Sequence, residues 1–117
     1  MQGIKTFIPT DEKVKYIQSL LGCGFDTIDF GSFVSPKAIP QMQDTAEVLA
    51  KLDLSRTRSK LLAIVANVRG AQDACEHKAI DYLGFPFSIS ENFQMRNTHK
   101  TIDQSVETLK GILELAD

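Results

Sequence analysis

Residues 61–66 read LLAIVA, six apolar side chains in succession, with mostly polar residues at 53–60 before them and Asn67 directly after. A strand wetted on one face alternates apolar with polar. An unbroken run of this length is what a strand covered on both faces requires, and such strands belong to parallel sheets. Upstream, FDTIDFGSFV (25–34) is rich in β-branched and aromatic residues and predicts a second strand. Downstream, the apolar stretch within IDYLGFPFSIS (80–90) predicts a third.

Helical spacing fills the intervals. Val14, Ile17, Leu20 and Leu21 share one face of a first helix. Thr10 is expected to cap its start, with Asp11 and Glu12 beside the positive end of the dipole and Gly22 and Gly24 ending it. In SPKAIP (35–40), Pro36 and Pro40 exclude helix. Residues 44–52 then place Ala46, Leu49 and Leu52 near Val48 on an apolar stripe. A short helix is expected from Gly70 to about His77. Ile102, Val106, Leu109 and Leu113 mark a final one, weakened but not broken by Gly111.

The order is helix, strand, helix, strand, helix, strand, helix, an α/β class with about three strands and four helices. Right-handed crossovers make the strands parallel neighbours in sequence order. Strand starts near Phe25, Leu61 and Ile80 approach the spacing of a (β/α)8 TIM barrel, which takes about 250 residues in all. This chain would be a partial barrel. A flavodoxin-like sheet has the same alternation in a shorter chain, so periodicity leaves both open. No linker or composition shift divides residues 1–117, which read as a single domain fragment.

The bulk numbers exclude several functions. Of 117 residues, 43% are hydrophobic and 24% charged, with a net charge of -2 and dispersed Lys and Arg. That gives no field for a phosphate backbone, so nucleic acid is not expected as a partner. No run approaches the roughly 18 apolar residues of a membrane span, and MQGIKTFIPT lacks the pattern of a leader. Cys23 and Cys75 lack CxxC spacing and are expected to be reduced, small core residues in the cytoplasm. His77 and His99 have no second ligand at i+2 or i+4 and read as solvated helix-end residues, so no metal ligand is assigned.

Candidate site residues gather where α/β folds build their sites, at the carboxyl ends of strands. Asp29, between Ile28 and Phe30 in a strand expected to be buried on both faces, loses hydration unless something specific pairs with it. It could accept a proton, or simply bond nearby backbone. Ser32 follows on the same strand. Asn67 offers an amide donor and acceptor to a polar ligand, or serves as a turn residue before a helix. In SISENFQMRN (88–97), Ser88, Ser90, Glu91 and Asn97 surround Phe93 and Met95. This polar segment could cover a pocket, while Ser90 capping a helical turn is the simpler account.

SFVSPKAIPQM (32–42) resembles the hydroxymethylglutaryl-CoA lyase family, and the resemblance continues through Asn67 and SENFQMRN (90–97). It implies a metal-dependent (β/α)8 lyase that cleaves 3-hydroxy-3-methylglutaryl-CoA to acetyl-CoA and acetoacetate with Mg2+ or Mn2+. The cation would act as Lewis acid on an acyl-CoA substrate. By this resemblance Asp29 and Ser32 are catalytic, and Gln2, Asn67, Ser90 and Asn97 bind substrate. Asp29 stands where the family usually has Glu, one methylene longer. The resemblance also implies that the family's first strand and second half, with all direct metal ligands, lie outside this chain. The isolated chain is then expected to be inactive and to hold no metal, and its open strand edges to favour pairing with another copy. A non-catalytic α/β module that binds a partner or self-associates is the alternative.

Overall fold

A computed structural model describes residues 1–116. Its elements are α1 (Thr10–Leu21), β1 (Thr27–Phe33), a 3-10 turn (Pro40–Met42), α2 (Thr45–Lys51), β2 (Lys60–Val65), α3 (Val68–Cys75), β3 (Tyr82–Gly84), α4 (Glu91–Thr98) and α5 (Ile102–Ala116). The three strands form one sheet in the order β1-β2-β3, and both pairings are parallel. The expected topology is the observed one.

One face of the sheet carries the core. Leu61, Ala63 and Val65 of β2 are buried against it with Ile28 and Phe30 of β1. Ile17 and Leu21 of α1 and Val48 and Leu49 of α2 pack on one half, and Ala71, Ala74 and Ile112 of α3 and α5 on the other. The opposite, concave face has no helix on it among the described residues, so Leu62 and Ile64 are only half-buried. LLAIVA therefore alternates in burial although it does not alternate in polarity. The same open face overturns the expectation for Asp29, which is exposed rather than enclosed on both sides.

Other boundaries differ for local reasons. Among the described residues there are five α-helices rather than four, because residues 91–98, expected as part of a polar loop, form α4. The third strand shrinks to Tyr82–Gly84, since Pro86 has no amide to continue a ladder. Cys23 and Cys75 are free and exposed, not core residues, because each lies at a helix end turned away from the sheet. Ala46 likewise faces solvent. His77 is half-buried, its ring 5.5 Å from that of Phe33, rather than fully solvated.

The least expected feature is a buried lysine. Lys13, 2% exposed, projects from α1 and donates to Asp44 Oδ1 and to the Gln41 carbonyl, each at 2.5 Å. Its ammonium group also lies 4.1 Å from the centre of the Phe7 ring. Thr10 does not cap α1, since Pro9 occupies the cap position. Its hydroxyl donates instead to Asp44 Oδ2 at 2.8 Å. One carboxylate thus takes two groups from α1 and ties that helix to the segment entering α2.

Removing one member of such a pair strands the other without solvation, at a cost of about 3–5 kcal/mol, whereas apolar replacement of both is far milder. Lys13→Met should lower unfolding free energy by that order in urea titrations. Combining it with Asp44→Leu should recover most of the loss.

Candidate functional site

On the concave side, loops after the strands enclose a cavity of about 440 Å³, with Gln2, Ser32, Ser35, Asn67, Asn97 and Lys100 among its lining residues. A smaller hollow of about 280 Å³ adjoins it through Gln2, Ser32 and Ile64 and contains Asp29. Five of the six predicted site residues, Gln2, Asp29, Ser32, Asn67 and Asn97, therefore line two connected spaces. Ser90 does not line either. Its hydroxyl accepts from the Phe93 amide at 3.4 Å as the cap of α4, the simpler of its two sequence readings.

Each position has a local cause. Asn67 is the N-cap of α3, with Oδ1 accepting from the Gly70 amide at 2.8 Å. Cap and ligand roles are compatible here, because the side-chain NH2 stays available to the cavity. Gly70 lets α3 begin close against β1, where any Cβ would run into the Phe33 carbonyl oxygen. Gln94, 1% exposed, accepts from the Ser88 amide at 2.8 Å and donates to the buried Ser105 hydroxyl at 2.5 Å. This pins the 88–98 segment to α5 and sets Asn97 at the cavity rim.

Ser32 is 4% exposed, and its Oγ has no hydrogen-bond partner among the described residues. A buried hydroxyl left without a partner costs roughly 1–3 kcal/mol, and at the wall of a cavity a ligand's polar atom would supply one. Asp29 reaches solvent through the smaller hollow. Protein around its carboxyl still displaces enough water to raise its pKa above the ordinary 3.8, while the Gly31 backbone N–H and the positive amino terminus pull the other way. A carboxylate with a raised pKa beside an unpartnered hydroxyl can accept a proton from a bound hydroxyl group. Asn67, Asn97 and Gln2 can orient neutral oxygen atoms around it.

Sequence reading missed Lys100 and Ser35, which line the same cavity, while His99 is the exposed helix-end residue it was expected to be. His99 ends α4 in the left-handed conformation at φ 56° and reaches the cavity wall. No pattern in the letters marks His99 or Lys100 as cavity residues, because the turn that brings them round follows from the docking of α4, whereas Ser35 sits in the loop after β1. A wider hollow of about 650 Å³ along the start of α5 shares His99 and Lys100 but contains none of the predicted site residues. Among the described residues no three His, Cys, Asp or Glu side chains converge as a metal-binding group. No helix among the described residues is long and apolar enough to cross a membrane.

No family model matches the chain. It is 34% identical over 116 residues to the 3-hydroxy-3-isohexenylglutaryl-CoA/hydroxymethylglutaryl-CoA lyase of Pseudomonas aeruginosa, covering 99% of this chain and 38% of that protein. To the mitochondrial hydroxymethylglutaryl-CoA lyase of Arabidopsis thaliana it is 33% identical, covering 91% of this chain and 22% of the relative. The solved HMG-CoA lyase of Brucella melitensis superposes with a TM-score of 0.90 at 34% identity, over 98% of this chain and 40% of that one. An Acinetobacter baumannii HMG-CoA lyase, in complex with coenzyme A and 3-methylmalate, gives 0.89 at 34% identity, over 97% and 36%. The chain spans less than half the length of these relatives. Within that span, sequence and backbone agree from end to end with hydroxymethylglutaryl-CoA lyases, and the sheet and helices match part of the (β/α)8 barrel of those structures.

Proposed function

We propose that this chain is the part of a carbon–carbon lyase that holds the reacting hydroxyl group of 3-hydroxy-3-methylglutaryl-CoA, which such an enzyme splits into acetyl-CoA and acetoacetate. The observation that carries the proposal is the convergence of Asp29, unpartnered Ser32, Gln2, Asn67 and Asn97 on connected hollows at one edge of a lyase-type sheet. In the overall reaction the tertiary hydroxyl loses its proton, the adjacent C–C bond breaks, and its electron pair passes to the thioester fragment, which then takes up a proton. Asp29 accepts or orients the hydroxyl proton, and Ser32 donates to a substrate oxygen. Gln2, Asn67 and Asn97 hold the acyl portion by neutral amide contacts. Ser90 serves the substrate indirectly, by starting the helix that carries Asn97. Coenzyme A, seen with the Acinetobacter baumannii neighbour, supports an acyl-CoA partner here.

The resemblance implies Mg2+ or Mn2+, which would supply Lewis-acid polarisation of substrate oxygens. This chain's described residues do not assemble a ligand set for it, so no step above is routed through the ion. For location, the free, exposed Cys23 and Cys75 suit a reducing compartment such as the cytoplasm. The relatives' own names include both cytoplasmic and mitochondrial forms.

Self-association is a second reading with its own observation. The outer edges of β1 and β3 are unpaired among the described residues, and nearby Phe25, Tyr82, Phe87 and Ile89 are exposed, Ile89 to 93%. Such edges template pairing with another strand.

The lyase reading is tested by exchanging this chain for the matching segment of the Pseudomonas aeruginosa relative. The chimera should turn over the thioester, and Asp29→Asn should slow it by about 10²–10⁴-fold, the usual range for a lost proton-transfer group. A folded chimera without turnover would count against it. Stability should move the opposite way. Because folding raises the Asp29 pKa, its contribution is fully present below 3.8 and lost as pH rises through the folded-state value. Asp29→Asn should therefore stabilise the chain at neutral pH, with the gain vanishing below about pH 4 in denaturant titrations. For self-association, sedimentation velocity should show mass rising with concentration, and Tyr82→Lys with Ile89→Lys should suppress the rise. A concentration-independent monomer would exclude edge pairing.

A further inference from the structure

We propose that Thr45 is a positioning residue that pins a β-bulge at Phe30–Gly31 and so holds Asp29 and Ser32 on the same face of β1. The inference deepens the lyase reading above and rests on it for the roles of the two side chains.

In a regular strand, residues three apart point to opposite faces. Asp29 and Ser32 would then be unable to meet one ligand. The pairing with β2 removes the conflict: Asp29 lies opposite Leu62, Gly31 opposite Ala63 and Ser32 opposite Ile64, so one step on β2 is matched by two on β1. The extra residue is Phe30, which is 3% exposed and packs with α1 in the core. Gly31 also turns towards the helices. Asp29 and Ser32 are left together on the concave side, lining one hollow with Ile64.

A bulge interrupts the ladder, and its amides need other acceptors. The Ser32 N–H donates to Thr45 Oγ1 at 3.3 Å, while the Thr45 hydroxyl donates to the Met42 carbonyl at 2.8 Å. The methyl group of Thr45 fills the space beside Gly31, where a Cβ would lie 2.8 Å from Cγ2. Thr45 is itself 4% exposed and follows Asp44, the carboxylate held by Lys13 and Thr10. Its hydroxyl therefore has a fixed origin from which to hold the bulge.

The test is NMR on the 117-residue chain, comparing wild type with Thr45→Val, which keeps the shape but loses the hydroxyl, and Thr45→Ser, which keeps the hydroxyl. In the wild type, Asp29 and Ser32 should both show NOEs to the concave-side chains Leu62 and Ile64. In Thr45→Val the Ser32 contacts should be lost. The Asp29 carboxyl midpoint should rise as the Gly31 N–H turns away from it. Thr45→Ser should restore both. Should Thr45→Val fail to fold, Gly31→Ala serves instead, since its Cβ displaces the Thr45 side chain, and the same two changes are expected. Wild-type Ser32 side-chain protons without NOEs to Leu62 and Ile64, or either disruptive variant keeping the wild-type midpoint and contacts while merely losing stability, would overturn the proposal. None of these readouts involves turnover, so an inactive chimera would sink the lyase reading and leave this geometry standing.

Discussion

The ammonium group of Lys13, enclosed beneath α1, constrains more of this molecule than any other single group. Taken out of water, it must find its donors' partners inside the protein, and it finds the Asp44 carboxylate, the Gln41 carbonyl and the face of Phe7. Gln41 and Asp44 lie on the segment entering α2, and Phe7 lies before α1. Meeting them fixes where α1 lies relative to the loop after β1, and hence where α2 begins. An apolar contact would tolerate sliding along the helix, whereas a charge with directional acceptors does not.

From that anchor the geometry passes inward. Asp44 is followed by Thr45, Thr45 touches Gly31 and Ser32, and those residues form the irregular end of β1. On the far half of the sheet a neutral counterpart does similar work. Gln94, enclosed between Ser88, Thr98 and Ser105, holds α4 against α5 and so fixes the opposite wall of the cavity. Buried polar groups of this sort contribute little net stability when satisfied, yet each fixes a unique arrangement of the elements it joins. The site between them is built on two such fixed walls.

The concave face shows what this arrangement leaves open. The helices cover one side of the sheet only, and Asp29, Ser32, Leu62 and Ile64 look into space on the other. In a closed barrel that space is filled by side chains from the remaining strands. Partial enclosure already raises the Asp29 pKa above its ordinary value, and fuller enclosure would remove more water from it. Its basicity depends on how completely that face is covered.

Sequence by itself determined the class of fold and the order of its strands. LLAIVA read as a strand of a parallel sheet, though one face of it stands open, the helical stripes gave the layers between, and the right-handed crossover left one parallel order. The string SFVSPKAIPQM carried the family resemblance, and strand ends pointed to Asp29, Ser32 and Asn67 as candidates. Tertiary structure decided what depended on one element docking on another. Lys13 reads in the sequence as one more polar residue of an amphipathic helix, and only the packing of α1 on the 41–44 segment buries it. A regular strand would put Asp29 and Ser32 on opposite faces, and only the pairing with β2 shows the extra residue that brings them together. Cys23 and Cys75 suggested core by their chemistry, but which side of a helix end meets the sheet is not written in a residue's own preference. Propensity and periodicity act within a segment. Burial of a charge, a bulge in a ladder and the closing of a cavity wall arise between segments distant in the chain, and so became visible only once the chain was folded.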